Sequence, residues 1–151
     1  MPEMSDPTGP PGLAPGRRLA RGVCRALHAL DFATLEEVVP EPGLRADVMA
    51  LGPGGEIWIV ECKSGPADFR ADRKWQGYLH WCDRFFWAVA PGFPTELLPA
   101  SAGLMMADGF DAEILRESAM HRLPPARRRI LTLRFARAAA FRHLQLRDPR
   151  A

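Results

Sequence analysis

Two acidic residues and a lysine, Asp47, Glu61 and Lys63, have a spacing in this 151-residue chain that suits phosphodiester hydrolysis. Residues 45–51 (RADVMAL) and 56–64 (EIWIVECKS) predict two strands joined by a glycine-rich turn. Carboxylate and carbonyl oxygens are the ligands that Mg²⁺ and Mn²⁺ prefer, and such an ion polarises a phosphate and activates water. We therefore predict a Mg²⁺ or Mn²⁺ site at Asp47, Glu61 and the backbone carbonyl of Cys62.

Lys63 is one of only two lysines, with Lys74, among the 20 basic residues of the chain. Arginine and lysine are not equivalent, because the ammonium group is compact and its pKa responds to burial. An ammonium group at position 63 would hold the attacking water or stabilise negative charge on the phosphorus. The choice of lysine here predicts a catalytic role for Lys63.

The pairing of the two strands decides whether these groups meet. Glu61 and Lys63 are two residues apart and share a strand face. A turn formed by residues 52–55 alone would pair Asp47 with Val60, whereas one more turn residue would set Asp47 opposite Glu61, and a shift by one residue reverses the face. The alternative to a catalytic site is an ordinary cross-strand ion-pair set. Burying charges without a function is costly on such an apolar strand, and this favours a catalytic site over ordinary ion pairs.

A single helix is predicted over residues 66–80, beginning at a proline. Arg70, Lys74 and Tyr78 are four residues apart and would share one helix face toward the site. We predict that Lys74 assists catalysis and that Arg70, Lys74 and Tyr78 contact DNA; the alternative is a solvated surface. In the predicted first strand, residues 32–39, Glu37 is a further candidate metal ligand, or simply a carboxylate at a sheet edge.

The order of predicted elements is α-β-β-β-α-β, then a β-hairpin and a long terminal helix. This order predicts an α/β fold with a mixed β-sheet flanked by helices. The length suits one domain, and the apolar content of 47% suits a packed core. Residues 1–15 hold five of the 15 prolines, so we expect a disordered tail there and a folded domain over residues 16–151.

Several functional classes are disfavoured by composition. Three cysteines without metal-binding spacing fit reduced thiols in the cytoplasm. No apolar stretch approaches the roughly 20 residues of a membrane span, and no secretory signal is visible. The four histidines form no H-E-x-x-H motif, which disfavours a zinc hydrolase. We expect a cytoplasmic protein that does not bind membranes.

The terminal helix is rich in arginine. The last 25 residues contain eight arginines and one acidic residue, Asp148. Arginines of this kind neutralise phosphates without reading base sequence, so Arg127 and Arg134 are predicted DNA-backbone contacts. A merely solvated basic face is the alternative, because the arginines do not lie on one clean stripe.

Four segments resemble the MmcB family of proposed bacterial DNA repair nucleases, within the PD-(D/E)XK, or restriction-endonuclease-like, superfamily. They are RADV (45–48), IVECKS (59–64), DFRADRKW (68–75) and CDRFF (82–86). The resemblance implies a restriction-endonuclease-like core, Mg²⁺-dependent DNA endonuclease activity, and a role in DNA repair with possible repair-protein partners. It assigns the superfamily's catalytic Asp, Glu and Lys to Asp47, Glu61 and Lys63. A non-catalytic DNA-binding or scaffold protein that keeps the fold is the alternative.

Overall fold

The computed structural model describes residues 12–151, so most of the predicted N-terminal tail lies outside the described residues. The helices and strands, in chain order, are α1 (Pro15–Ala29), β1 (Ala33–Val38), β2 (Ala46–Leu51), β3 (Ile57–Lys63), α2 (Pro66–Ala71), β4 (Arg84–Val89), β5 (Gly103–Ala107), β6 (Ala112–Arg116) and α3 (Pro125–Arg147). Two 3₁₀ helices cover Trp75–Trp81 and Thr95–Leu97. No helix within residues 12–151 is both long enough and apolar enough to cross a membrane.

The six strands form one sheet in the order in which they occur along the chain. Strands β1, β2 and β3 are antiparallel neighbours, β3, β4 and β5 run parallel, and β6 returns antiparallel to β5. Segments that cross between the parallel strands must pass over a face of the sheet. This mixed sheet with flanking helices confirms the predicted fold class.

The β2–β3 hairpin has the longer of the two predicted turns. Leu51 pairs with Ile57, because Gly52 and Glu56 close the turn through a 2.8 Å hydrogen bond from Gly52 N–H to the Glu56 carbonyl. The loop proper is then Pro53 to Gly55, and Gly55 takes a positive φ of 89°. Three-residue hairpin loops commonly place a glycine in this conformation. The resulting register directs the start of β2 toward Glu61.

Each face of the sheet has its own hydrophobic core. Helix α1 packs on one face, against residues that include Val48, Val60 and Phe86. The other face carries Ile59 and Trp87 and is covered by the 3₁₀ helix at Trp75–Trp81 and by α3, which buries Leu131 and Phe135. Glu61 and Lys63 belong to this second face because side chains alternate along β3.

The prediction of one helix over residues 66–80 is wrong. Helix α2 ends at Ala71, and the chain resumes as a 3₁₀ helix only at Trp75. The carboxylate Oδ1 of Asp72 accepts a 2.9 Å hydrogen bond from Lys74 N–H, which is a local bond that competes with continued helix. The break lets Trp75 pack against Phe85 and Trp87, with ring centroids 5.8 and 5.2 Å away. Arg70, Lys74 and Tyr78 consequently do not share one helix face.

Asp83, immediately before β4, forms hydrogen bonds with the beginning of β3 and with the segment that leads into α3. Its side chain is buried and accepts hydrogen bonds from Ile57 N–H and Leu123 N–H, each 2.8 Å long. Arg128 of α3 adds a bidentate pair at 2.6 and 2.7 Å. Burial acts to raise the pKa of Asp83, but the Arg128 guanidinium and the two amides hold it below its ordinary value. Asp83 therefore holds α3 against the first residue of β3.

Replacing Asp83 with asparagine should destabilise the fold strongly. Asparagine cannot accept on both sides and leaves the Arg128 guanidinium without its carboxylate, so we expect a loss of about 3–5 kcal/mol. Urea unfolding followed by circular dichroism measures this loss. The control is Glu96→Gln, which removes an exposed carboxylate; equal unfolding midpoints for the two variants would contradict the role of Asp83.

Candidate active site

Asp47 and Glu61 lie against each other where β2 and β3 separate. Asp47 Oδ2 accepts a 2.8 Å hydrogen bond from Cys62 N–H, and Glu61 Oε1 accepts a 2.9 Å hydrogen bond from Asp47 N–H. Each carboxylate thus replaces a carbonyl as acceptor for the amide of the opposite strand. Within residues 12–151, the second oxygens, Asp47 Oδ1 and Glu61 Oε2, accept no hydrogen bond. Two hard oxygen atoms therefore remain available for a cation.

The two carboxylates are held in surroundings that oppose their ionisation. Glu61 is only 5% exposed, and its burial, followed by the charge of Asp47, raises its pKa to about 8. Burial also raises the pKa of Asp47. Like charges in one site disfavour each other's ionisation, and a cation between them removes this penalty. The donor set is therefore chemically suited to a hard divalent cation.

Lys63 lies beside this pair, with its ammonium group next to acidic residues of the following segment. The side chain is buried, and Nζ lies 2.9 Å from Asp72 Oδ2 and 3.9 Å from Asp68 Oδ1. Nζ also lies 6.0 Å from the centre of the Trp87 ring. Burial acts to lower the pKa of Lys63, but the hydrogen bond and charge of Asp72 raise it above its ordinary value. Lys63 is therefore a charged ammonium group at neutral pH.

The predicted residues of the following segment have three different placements. Arg70 and Lys74 are exposed, on α2 and after it. Tyr78 is buried, and its hydroxyl donates to the Arg45 carbonyl at 2.8 Å and accepts from Arg45 N–H at 3.3 Å. These bonds tie the 3₁₀ helix to the residue that precedes β2. Tyr78 thereby supports the position of Asp47 from the protein interior.

The two further predicted metal ligands, Glu37 and the Cys62 carbonyl, differ in where they lie. Glu37 is exposed on β1 and has a positive φ of 54°, an uncommon conformation for a residue other than glycine. Cys62 directs its side chain into the α1 core, so only its backbone is available to the site. Among the described residues, no group of three His, Cys, Asp or Glu side chains is arranged to hold a metal ion. Water or a phosphate oxygen would have to complete the coordination.

Many arginines of the chain serve the fold, because their guanidinium groups donate to backbone carbonyls. Arg127 donates to the His80 carbonyl and Arg134 to the Pro40 carbonyl, and both lie over the Trp81 ring. Six others donate in the same manner: Arg21, Arg25, Arg84, Arg116, Arg128 and Arg142. The planar fork of arginine suits this task better than an ammonium group does. Arg127 and Arg134 are exposed but already hold intramolecular partners.

Two acidic residues that form buried or half-buried polar contacts, Asp72 and Asp83, are not among the predicted site residues. Asp72 pairs with Lys63, and Asp83 organises the opposite end of β3. Both occur within the DFRADRKW and CDRFF segments. An aspartate two residues before a lysine in a helical pattern can cap a break, and this was the available signal for Asp72. Nothing in the local sequence indicates that Asp83 contacts α3, 45 residues further along the chain.

Comparison with known proteins places the chain in a family. The model of the DNA repair protein MmcB-like family matches residues 15–150, so the chain belongs to that family. A solved structure, described as the SPO1766 protein of unknown function from Silicibacter pomeroyi, is similar at 61% identity and a TM-score of 0.90. The match covers 91% of this chain and 94% of that one. No curated protein matches significantly.

The buried carboxylate of Glu61, next to Asp47, should make the metal-free protein less stable as pH rises. The unfolded chain releases the Glu61 proton near its ordinary pKa, whereas the folded protein holds it until about pH 8. Between these values the folded state binds more protons, so the free energy of unfolding falls with rising pH, by up to about 1.4 kcal/mol per pH unit for one proton.

Urea unfolding in EDTA between pH 4.5 and 8.5 measures this dependence. Glu61→Gln keeps an acceptor for Asp47 N–H and removes the titrating group, so its stability should fall less steeply over the same range. Superimposable pH profiles for the wild type and Glu61→Gln would contradict the assignment.

Proposed function

We propose that this protein is a Mg²⁺- or Mn²⁺-dependent deoxyribonuclease that acts in DNA repair. The observation that carries the proposal is the contact between Asp47 and Glu61, two carboxylates with free oxygens and opposed ionisation, beside the buried ammonium group of Lys63. Membership of a DNA repair family supplies the expected substrate. The mixed sheet and the Asp-Glu-Lys set support the restriction-endonuclease-like enzyme that the sequence resembles.

Asp47, Glu61 and Lys63 have different roles in the proposed reaction. Asp47 and Glu61 would hold the divalent cation, which when bound polarises the scissile phosphate and lowers the pKa of a coordinated water. Lys63 remains protonated, so it donates hydrogen bonds to the attacking water or the phosphate oxygens and does not act as a base. The buried surroundings strengthen each of these electrostatic contacts, because little water screens them.

Basic residues close to the site in the chain provide a surface for the DNA backbone. The side chains of Arg70, Arg73 and Lys74 are exposed and form no hydrogen bond, ion pair or ring contact within the described residues. Arg45 is exposed two residues before Asp47. Unlike Arg127 and Arg134, the side chains of Arg70, Arg73 and Lys74 need not leave an intramolecular partner to meet a phosphate. We assign DNA positioning to Arg45, Arg70, Arg73 and Lys74 ahead of α3.

Mn²⁺ or Mg²⁺ should stabilise the wild-type protein through Asp47. A ligand that binds only the folded state at a hundredfold excess over its Kd contributes about 2.7 kcal/mol, which corresponds to a rise in Tm of roughly 5–10 °C. Differential scanning fluorimetry at pH 8 measures the rise. In Asp47→Asn the increase should disappear, because a neutral amide is a poor replacement for a charged carboxylate ligand of a hard divalent cation.

The matched control for the metal titration is Glu96→Gln, an exposed carboxylate away from the β2–β3 pair. It should respond to Mn²⁺ as the wild type does. Equal increases in Tm for Asp47→Asn and Glu96→Gln would show that the cation binds elsewhere.

Cleavage of DNA should require the Lys63 ammonium group. We expect Mn²⁺-dependent cleavage of at least one substrate from a panel of plasmid, single-stranded, nicked and branched DNA. Lys63→Met preserves the buried methylene packing and should reduce kcat at least a hundredfold. Lys74→Met should retain kcat and weaken DNA binding, because the exposed Lys74 ammonium group is assigned here to DNA positioning in place of the catalytic role expected from the sequence.

A non-catalytic DNA-binding or scaffold protein is the competing function, and one observation favours it. The described residues bring only two carboxylates together, so the protein supplies few metal ligands of its own. Salt-sensitive DNA binding without cleavage on every substrate in Mg²⁺ and Mn²⁺ would establish this function instead. Measuring binding in Ca²⁺, alongside cleavage, distinguishes the two outcomes in one set of samples.

A further inference from the structure

We propose that Asp72 is a positioning residue, which holds the Lys63 ammonium group in place for the reaction. This inference rests on the proposed nuclease function. Neither α2 nor the 3₁₀ helix contains Asp72; it lies in the three-residue break between them. The break places a carboxylate of the crossover segment 2.9 Å from Nζ of Lys63.

The Asp72 carboxylate is itself fixed before it meets Lys63. Its Oδ1 accepts the Lys74 N–H bond at 2.9 Å, while its Oδ2 faces Lys63. Oδ1 therefore binds the backbone amide of Lys74, and Oδ2 binds the ammonium group of Lys63. The side chain of Asp72 is only 13% exposed, so water does not compete freely for either bond. A carboxylate already held at one oxygen loses less entropy when its other oxygen orients a lysine.

The geometry leaves Lys63 free to act on a substrate. An ammonium group has three N–H donors, and only Asp72 lies within hydrogen-bond distance of Nζ among the described residues. Asp68 at 3.9 Å is too far for a hydrogen bond, and the Trp87 ring lies along one side. Asp72 thus occupies one donor and leaves the others for water or a phosphate oxygen.

Asp68 provides a matched comparison, because among the described residues it is the other acid within 4.0 Å of the Lys63 ammonium group. Its side chain is 48% exposed, and Oδ2 accepts a 3.3 Å hydrogen bond from Ser64 N–H. Exposed ion pairs contribute little, since solvent screens them. Asp72→Asn and Asp68→Asn remove the same charge, and the amide introduced by Asp72→Asn would still offer an oxygen to Lys74 N–H. The two variants therefore separate the close ion pair from general loss of negative charge.

The presence of only two lysines makes Lys63 directly observable. Protein grown with ¹⁵N-labelled lysine gives at most two ammonium signals, assigned with Lys74→Arg. We expect a distinct, slowly exchanging Lys63 signal in the wild type and in Asp68→Asn. In Asp72→Asn this signal should move toward that of an exposed lysine and broaden, while the Lys74 signal stays unchanged. An unaltered Lys63 signal in Asp72→Asn overturns the inference, whether or not the protein cleaves DNA.

Kinetics then test whether the ion pair matters to the reaction. Misplacing a catalytic group by about 1 Å can cost a hundredfold in rate, so kcat of Asp72→Asn should fall roughly ten- to a hundredfold. KM and DNA affinity in Ca²⁺ should change less than threefold, and Asp68→Asn should resemble the wild type. Wild-type kcat in Asp72→Asn, or a higher kcat, would overturn the positioning role, and the higher value would show that Asp72 restrains Lys63 instead.

Failure of the Asp72 inference and failure of the proposed nuclease function would give different experimental results. If the wild type cleaves no DNA while Asp72→Asn alters the Lys63 signal, the nuclease proposal fails and Asp72 retains only a structural ion pair, which refutes the positioning role too. If the wild type cleaves and both aspartate variants cleave equally, the nuclease stands and the inference about Asp72 fails.

Discussion

Two neighbouring carboxylates, the buried one of Glu61 and the half-buried one of Asp47, are the constraint around which this structure is built. Asp47 and Glu61 each accept an amide hydrogen of the opposite strand, so neither can turn away without leaving that amide unpaired. Their repulsion can be relieved by a proton or by a cation. Burial, followed by the charge of Asp47, raises the pKa of Glu61 and so favours the proton, and metal binding would provide the alternative. Stability is therefore linked to this pair of side chains, and under the proposed function metal affinity and catalysis would be linked to the same pair.

The remainder of the fold keeps this pair where the chemistry needs it. The turn closed by Gly52 and Glu56 sets the register of the two strands, and Tyr78 ties the residue before β2 to the 3₁₀ helix. At the other end of β3, Asp83 and Arg128 hold α3 in place. The break after α2 adds Asp72 and thereby fixes Lys63. Asp47 lies on β2, and Glu61 and Lys63 lie on β3. All three therefore stand on regular strands, as precise placement requires.

Local sequence patterns predicted the elements of the sheet well because strand signals are local. The β5–β6 hairpin occurs where a hairpin was predicted, between the fourth strand and the terminal helix. Spacing and residue type also singled out Asp47, Glu61 and Lys63 as candidate site residues. The register stayed open, since it depends on whether Glu56 belongs to the turn. The single helix over residues 66–80 was wrong because helical periodicity does not register the Asp72–Lys74 bond, which overrides it. Most arginine roles could not be predicted, because their carbonyl partners lie far away in the chain.

The direct test of the central claim is anomalous diffraction from a crystal soaked in MnCl₂ at pH 8. We predict one anomalous peak about 2.0–2.2 Å from a carboxylate oxygen of Asp47 and from one of Glu61, since Mn²⁺ accepts the hard oxygen ligands that suit Mg²⁺. The peak should vanish in crystals of Asp47→Asn. Absence of a peak between the two carboxylates in well-soaked wild-type crystals, or a peak that persists in Asp47→Asn, would contradict the account.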